Sequence, residues 1–484
     1  LGTAENEKEL INSLFLLKDI IADDKESLIK YSARMPLKER LTLLSSETYQ
    51  KSDNLILSLR GNFVDWNLNR NLDENTLLTE QVISEINKVS LISRLNRKGL
   101  LEQIERNQAF LVKADDKYKL LNQKLNYLYE QLLIEDNPPQ SFQTIQQKIK
   151  IIEKQLFSKL PSFNEGFVDE KYIFDALPAD SILIDIKKFK PYVYTSKGYD
   201  YGDYIYSALV VEKNGRIVEV ELGESKNLDD SIKALLINIE QGNDYAQNLR
   251  NIYKLFLKPL EKYLVNNSEI FLSLDSYLNY IPINLLKNPN NNSYYHEQFD
   301  LKLISSPREL IQLMSLDNNR LQNSSINKPV VFANPSFNLL LKKIKDPNQD
   351  SLYTNNLLRS SENCRDSWNQ LPSTKNEGQE IKKIIDAKLF MGDEASEDKI
   401  KNLDYSPYIL HIATHGFYCS KDTEINNPLL QSGIVLAGAN NKKNGDTQNG
   451  VLTALEFTQL DLSNTELVVL SSCESAIGKD EVGE

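Results

Sequence analysis

The sequence predicts an all-α region followed by an α/β domain with a mostly parallel sheet flanked by helices. Glycine and proline are scarce before residue 165, where apolar residues recur at spacings of three and four, the period of a helix. From about residue 175, short β-branched runs alternate with helical segments, and that order builds a parallel sheet covered on both faces. We therefore expect a helical domain over residues 1–165 and an α/β domain over residues 170–484.

The best-defined helices of the first region form a pair around two prolines. Five apolar residues share helical spacing in the first helix: Tyr118, Leu121, Leu125, Leu128 and Leu132. Four more share it in the second: Ile145, Ile149, Ile152 and Leu156. Pro138 and Pro139 interrupt the chain between the two stripes, because proline has no N–H group to donate. The pattern predicts an antiparallel helical hairpin.

The earlier part of this region is also helical in pattern, over segments 8–30, 37–60 and 75–112. The sequence contains no clean copy of the tetratricopeptide pattern. We expect a degenerate array of such helical repeats, and a plain helical bundle is the alternative.

The second region alternates strand-like and helix-like segments. They follow in this order: strands 181–186, 206–212 and 217–222, helix 228–263, strands 270–275 and 329–334, helix 374–385, strand 388–391 and helix 396–402. Asn214-Gly215 between the second and third strands predicts a hairpin turn. Thr374 followed by Glu377 predicts a capping box at the start of the helix that runs through Ile385.

Two further hydrophobic runs close the series, and each stops at a reactive residue. The run that begins at Tyr408 leads to His415, and the run that begins at Glu466 leads to Cys473. Chemistry in an open α/β sheet collects beyond the carboxyl ends of the strands. If these two strands are neighbours, an imidazole and a thiol lie side by side at one edge of the sheet.

A thiol becomes a good nucleophile when a nearby base favours the thiolate. The reaction also needs backbone N–H groups directed at the oxyanion that develops. Gly416 allows close approach of the backbone to a substrate carbonyl, and the N–H group of Cys473 can supply the second donor. We expect His411, four residues before His415 on the same strand face, to be a packed or supporting residue.

Other interpretations of these residues remain open. His415 and Cys473 can be ordinary strand-end residues, because cysteine is commonly a small buried hydrophobe. Cys419 is a rival nucleophile only four residues past His415. His296 has no second ligand at metal spacing, and we expect neither a metal nor an organic cofactor.

Composition narrows the class of protein. The net charge is −12, which argues weakly against a surface built for nucleic acid, although a local basic patch is compatible with it. Three cysteines without CxxC spacing favour a reducing, cytoplasmic setting. No apolar run approaches the ~20 residues of a membrane span, and the GxSxG, GxxxxGK[ST] and GxGxxG motifs are absent from the sequence.

Several segments resemble, in order, the CHAT proteases of the caspase–separase clan, caspase-like domains that occur with tetratricopeptide repeats. The segments that carry the resemblance are Leu177–Ile184, Tyr280–Leu286, Ala333–Pro335, Leu371–Thr374 with Glu380-Ile381, His411–Phe417, Ser432–Ala439, Gly450–Ala454 and Leu470–Glu474. They extend over about residues 170–484, and the block around His415 and Cys473 is the most specific.

The resemblance implies a caspase-like fold and a cysteine endopeptidase that cleaves a partner protein. By resemblance, His415 is the general base, Cys473 is the nucleophile, and the backbones of Gly416 and Cys473 form the oxyanion hole, with His411 and Glu474 in support. The helical region would then bind a regulatory protein or ribonucleoprotein in a bacterial defence or signalling system, including a CRISPR-associated one. A catalytically inactive scaffold and a nucleic-acid-binding effector are the alternatives.

Two features depart from the family pattern. Ala476 stands where the family has glycine three residues after the cysteine. The family also continues past the nucleophile with a helix and further strands, whereas this sequence ends at Glu484. The resemblance therefore implies a fragment, a clipped large subunit or the ordered part of a longer protein.

Overall fold

The computed structural model describes most of the chain, in twelve segments: residues 7–44, 46–62, 79–132, 139–161, 166–195, 198–264, 269–288, 292–320, 327–338, 367–418, 428–441 and 449–472. The helices of the first region are Glu7–Ser32, Leu37–Leu44, Glu47–Leu57, Glu80–Arg97, Leu100–Ala114, Lys119–Leu132 and Pro139–Phe157, and helix Glu170–Ala176 opens the second region. In these segments no helix combines the length and the apolarity that crossing a bilayer requires.

Helix Glu80–Arg97 is buried on most of its circumference and joins the helical region to the first sheet. Its residues Val82, Ile86, Val89 and Ile92 pack against helix Glu7–Ser32. Leu91 and Leu95, on another face, pack among strand residues of the first sheet. A helix that is apolar or buried all round lies inside a fold, and this one forms the junction between two layers.

The predicted helical hairpin is present. Helices Lys119–Leu132 and Pro139–Phe157 pack together, and the Tyr118 hydroxyl donates to the Lys159 carbonyl at 2.8 Å. The Tyr129 hydroxyl, further along the first helix, donates to Glu153, which precedes Lys159 in the chain, so the two helices run antiparallel. Pro139 is the first residue of the second helix, a position that proline tolerates well.

The strands fall into two larger and two smaller sheets. They are β1 Ser181–Phe189, β2 Tyr192–Thr195, β3 Gly198–Tyr201, β4 Ile205–Glu212, β5 Ile217–Glu224, β6 Glu269–Ser273, β7 Asp300–Ile304, β8 Val330–Pro335, β9 Lys388–Gly392, β10 Ile409–Ala413, β11 Gly416–Tyr418, β12 Ser432–Val435, β13 Val451–Thr453 and β14 Leu467–Ser471. The main helices among them are Ser225–Glu240, Ala246–Ile252, Pro307–Arg320, Pro372–Ile385 and Glu397–Lys401, with shorter turns at Glu261–Leu264, Pro428–Gln431 and Ala454–Phe457.

The first large sheet has the order β5-β4-β1-β6-β7, antiparallel on one side of β1 and parallel on the other. The second has the order β14-β10-β8-β9 and is parallel throughout. Strands β11, β12 and β13 form an antiparallel sheet, and β2 pairs with β3. The predicted class, helices followed by a mostly parallel α/β domain of caspase-like type, is confirmed, with the strands divided between two large sheets.

The two faces of the second sheet pack against different elements. Residues Leu410 and Ile412 of β10 face β12 and β13. Ala413 faces the other way and packs near helix Pro372–Ile385. Gly378 on that helix permits close contact, because a Cβ atom added there would lie only 2.6 Å from the Cβ of Ala333.

The predicted capping box at Thr374 and Glu377 is wrong. Helix Pro372–Ile385 begins two residues before Thr374, because Pro372 occupies the first helical turn. The Thr374 hydroxyl instead donates to the Leu371 carbonyl at 2.8 Å and accepts from the Asn334 N–H at 3.1 Å. The Glu377 carboxylate is thereby left to contact β10.

A buried ion cluster anchors the helical region to the first sheet. Asp185 of β1 is fully buried, and its carboxylate accepts from Lys98 Nζ at 2.8 Å and from Arg94 Nη1 at 3.2 Å. Lys98 also donates to the Ser273 hydroxyl at 2.7 Å. Burial alone would raise the pKa of Asp185, but the adjacent Lys98 and Arg94 hold it below its ordinary value.

We predict that Asp185→Asn lowers the free energy of unfolding by about 3–5 kcal/mol, because it leaves two buried cations without a counter-charge. The urea midpoint measures the loss. Because the pKa of Asp185 is depressed in the folded state, the wild-type advantage should be complete above pH 3.8 and shrink as the pH falls further.

The matched control is Glu380→Ala, which removes an ion pair with Lys383 in which both side chains are about two-thirds exposed. Exposed pairs contribute only about 0.2–1 kcal/mol. Equal midpoints for the two variants would contradict an anchoring role for Asp185.

Candidate active site

The two strands that carry the predicted site residues are neighbours. β10 pairs in parallel with β14, with Ala413 opposite Ser471, and the Thr414 N–H donates to the Ser471 carbonyl at 3.3 Å. His415 follows directly where β10 ends. Cys473 and Glu474 lie outside the described residues, two and three positions after Ser471.

The His415 ring is half-buried between two aromatic side chains. Its centroid lies 5.4 Å from the ring of Phe337 and 5.3 Å from that of Trp368. Its Nε2 atom is 2.8 Å from the carbonyl oxygen of Asn369. Because a carbonyl oxygen can only accept, Nε2 carries the hydrogen, and in the neutral imidazole Nδ1 then presents a lone pair. The imidazole is therefore held in the tautomer of a general base.

One asparagine fixes both aromatic walls around His415. The side chain of Asn440 accepts from the Trp368 N–H at 2.8 Å and donates to the Trp368 carbonyl at 2.9 Å. The Asn440 N–H donates to the Phe337 carbonyl at 3.0 Å. Asn440 thus holds the backbones of Phe337 and Trp368 in place. Because their rings flank His415, this limits the rotation of the His415 ring.

The turn that brings Phe337 to this place is conformationally unusual. Asn334, at the end of β8, has a φ of +45°, a region that few residues other than glycine occupy. The hydrogen bond from its N–H to Thr374 stabilises the turn. Backbone strain of this kind is typical of functional sites.

Gly416 begins β11 with its N–H group pointing away from β12. Gly416 lies opposite Ile434, and the next residue, Val435, donates its N–H to the His415 carbonyl at 2.9 Å. That pattern makes Gly416 and Ile434 a non-hydrogen-bonded pair of an antiparallel ladder. The Gly416 N–H is thus directed to the outer edge of the small sheet, next to His415.

His411 ties β10 to the helix above it. The side chain is buried, and its Nε2 atom lies 2.9 Å from Oε1 of Glu377. Since a carboxylate accepts, Nε2 of His411 donates this hydrogen bond. The contact holds helix Pro372–Ile385, which follows Trp368 and Asn369, in place over the sheet.

The remaining candidates lie elsewhere or outside the described residues. His296 contacts the Asn284 carbonyl at 3.1 Å through Nδ1 in an exposed turn. The rival nucleophile Cys419 lies outside the described residues. Across the described segments, no group of three His, Cys, Asp or Glu side chains is placed to hold a metal ion.

Most residues that surround His415 are not indicated by any pattern in the sequence. These residues lie between 25 and 78 positions from His415 in the sequence: Phe337, Trp368, Asn369 and Asn440. The one signal available was rarity, since Trp368 is one of two tryptophans in the chain.

Residues 246–484 match the family model of the CHAT domain. A search of curated proteins gives no match.

We predict that the neutral His415 imidazole is the Nε2–H tautomer, because its Nε2 faces a carbonyl oxygen. Nitrogen-15 imidazole spectra of the whole chain would measure this, and only three histidines contribute signals. His415→Gln assigns the signal, and His296→Gln is the control. A protonated Nδ1 in neutral His415 would contradict the geometry.

Proposed function

The chain is a CHAT-domain protein, with a caspase-like domain related to cysteine peptidases, and we propose that it is a cysteine endopeptidase. Its substrate would be a partner protein, cleaved by His415 and Cys473. The observation that supports this most is the pairing of β10 with β14, which directs both chain segments to one edge of the sheet. The held tautomer of His415 adds to it.

The proposed reaction uses the base and two backbone donors. Nδ1 of His415 takes the proton from the Cys473 thiol, and the thiolate attacks the carbonyl carbon of the scissile peptide bond. The N–H groups of Gly416 and Cys473 stabilise the oxyanion of the tetrahedral intermediate. When the C–N bond breaks, the imidazolium gives its proton to the leaving amine. A water molecule, activated by the same imidazole, then hydrolyses the thioester.

We also propose that the helical region, residues 1–165, regulates a protease domain over residues 170–484 by binding a protein or ribonucleoprotein. Its hairpin contacts the segment after β13, where the amides of Asn126 and Gln459 exchange hydrogen bonds at 2.9 and 3.2 Å. β13 pairs with β12, and β12 pairs with β11, which begins at Gly416. A partner that moves the hairpin would therefore act on the strands beside His415. A role in bacterial defence or signalling is part of this proposal.

We predict that Cys473→Ala abolishes cleavage of the partner, because no thiolate remains to form the acyl-enzyme. The loss in kcat/KM should exceed about a thousandfold, as expected when a covalent nucleophile is removed. The measurement is co-expression with the products of neighbouring genes, followed by detection of a cleaved partner.

Cys419→Ala is the matched control, because it removes the rival thiol four residues past His415 in the sequence and should leave cleavage unchanged. Cleavage by the Cys473→Ala protein at the wild-type rate would refute the assignment. A wild-type chain that binds the partner without cleaving it would identify an inactive scaffold instead.

We predict that Asn440→Ala lowers kcat by about ten- to a hundredfold with a small change in KM, because it releases Trp368 and loosens the ring of His415. Peptidase assays on the purified partner would measure kcat and KM separately. The control is Asn402→Ala, which removes an exposed hydrogen bond from the Asn402 side-chain amide to the Asp398 carboxylate. An unchanged kcat in the Asn440→Ala protein would show that the ring needs no such support.

A further inference from the structure

A cavity of ≈ 220 Å³ lies between the helical region and the segment after β13. Helices Leu37–Leu44, Leu100–Ala114, Lys119–Leu132 and Pro139–Phe157 form one side, and Leu455, Thr458 and Gln459 form the other. None of its lining residues belongs to the described surroundings of His415. The cavity is therefore a separate feature, and an inference about it does not rest on the proposed peptidase activity.

Arg40 lines this cavity with an unused hydrogen-bond donor. The side chain is fully buried, its Nε donates to the Ser32 carbonyl at 2.9 Å, and its Nη2 donates to the Met35 carbonyl at 3.2 Å. Its Nη1 atom is buried and has no hydrogen-bond partner within the described segments. A buried donor without a partner is costly, so an acceptor that reached Nη1 from the cavity would remove that cost.

Glu105 and Glu153 set the charge of the cavity. Burial raises the pKa of Glu105 to about 7, with Arg40 opposing that rise, so near neutral pH its carboxyl can accept or donate a hydrogen bond. Glu153 already accepts from the Tyr129 hydroxyl. Two carboxyl groups beside one guanidinium disfavour an anionic ligand, whereas a neutral group with one acceptor and one donor suits Arg40 and Glu105 together.

The rest of the lining is largely apolar and of limited size. Its apolar residues are Leu37, Ala109, Val112, Leu125, Leu156, Phe157 and Leu455, and its polar residues are Gln108, Asn122, Asn126, Tyr129, Thr458 and Gln459. An apolar cavity of roughly 150 Å³ is known to take up benzene. This larger cavity therefore has room for a leucine side chain together with a small polar group.

We propose that this cavity binds an amide-bearing apolar group of about the size of leucine, with its carbonyl oxygen on Arg40 and its N–H on Glu105. The group can be a free small molecule or part of a peptide segment, since both offer the same chemistry. Because both regions of the chain form the walls, the bound group would hold the hairpin against the segment after β13.

The test uses the full chain and a matched pair of probes, N-acetyl-leucinamide and N-acetyl-leucine, which differ in the charge of one terminus. Calorimetry and saturation-transfer NMR measure binding. We expect the amide to bind at least tenfold more tightly than the carboxylate. A capped tripeptide with leucine at its centre distinguishes the two sources: tighter binding of the tripeptide indicates a peptide segment, and tighter binding of the single residue indicates a small molecule.

Two variants locate the bound probe. Ala109→Phe fills the cavity and should lower the affinity for the amide at least tenfold, whereas Phe110→Trp changes a side chain that is 69% exposed and should leave it unchanged. Glu105→Leu should lower the affinity for the amide at least tenfold, and Glu105→Gln, which keeps an acceptor, should largely preserve it. Unfolding temperatures measured without probe verify that each variant folds.

Three outcomes would overturn the proposal. The first is the absence of binding by the amide and the tripeptide at concentrations of about 1 mM, where even weak specific sites fill. The second is equal affinity for the amide and the carboxylate. The third is undiminished binding to a folded Ala109→Phe protein.

Discussion

The candidate site depends on the position of β10 between β8 and β14 in a parallel sheet. Leu410 and Ile412 are buried on one face of β10, and His411 and Ala413 on the other. A slip of one residue would exchange the two faces, so burial fixes the register in which Ala413 lies opposite Ser471. The placement of His415 at the carboxyl edge of the sheet depends on that register.

The surroundings of His415 show how a rigid site is assembled from distant loops. Phe337, Trp368 and Asn440 reach the ring or its neighbours from three segments, and their mutual hydrogen bonds leave few alternative conformations. Such organisation before substrate binding is what nucleophilic catalysis requires of its base. His411 and Glu377 extend it by holding the helix that begins beside Trp368.

The helical region contacts the two large sheets in different ways. Its contact with the first sheet is buried and ionic, through Arg94, Lys98 and Asp185. Its contact on the side of the second sheet combines apolar packing of the hairpin against Leu430 and Leu455 with the amide pair of Asn126 and Gln459, beside a cavity. The ionic contact with the first sheet is thus fully buried, whereas the contact on the side of the second sheet borders a cavity.

The sequence by itself determined the features that local hydrophobic periodicity encodes. These are the helical hairpin around Pro139, the strands that end near His415 and Ser471, and the parallel pairing of those strands. Tertiary structure alone decided the division into two sheets, the aromatic clamp on His415, the ion cluster at Asp185 and the unpaired donor of Arg40. The capping-box pattern of Thr374 and Glu377 gave a wrong prediction. The helix begins earlier, at Pro372, and the Glu377 carboxylate accepts a hydrogen bond from His411. The physical reason is that periodicity reports which face of an element is buried, whereas contacts between residues far apart in sequence depend on packing that no local pattern records.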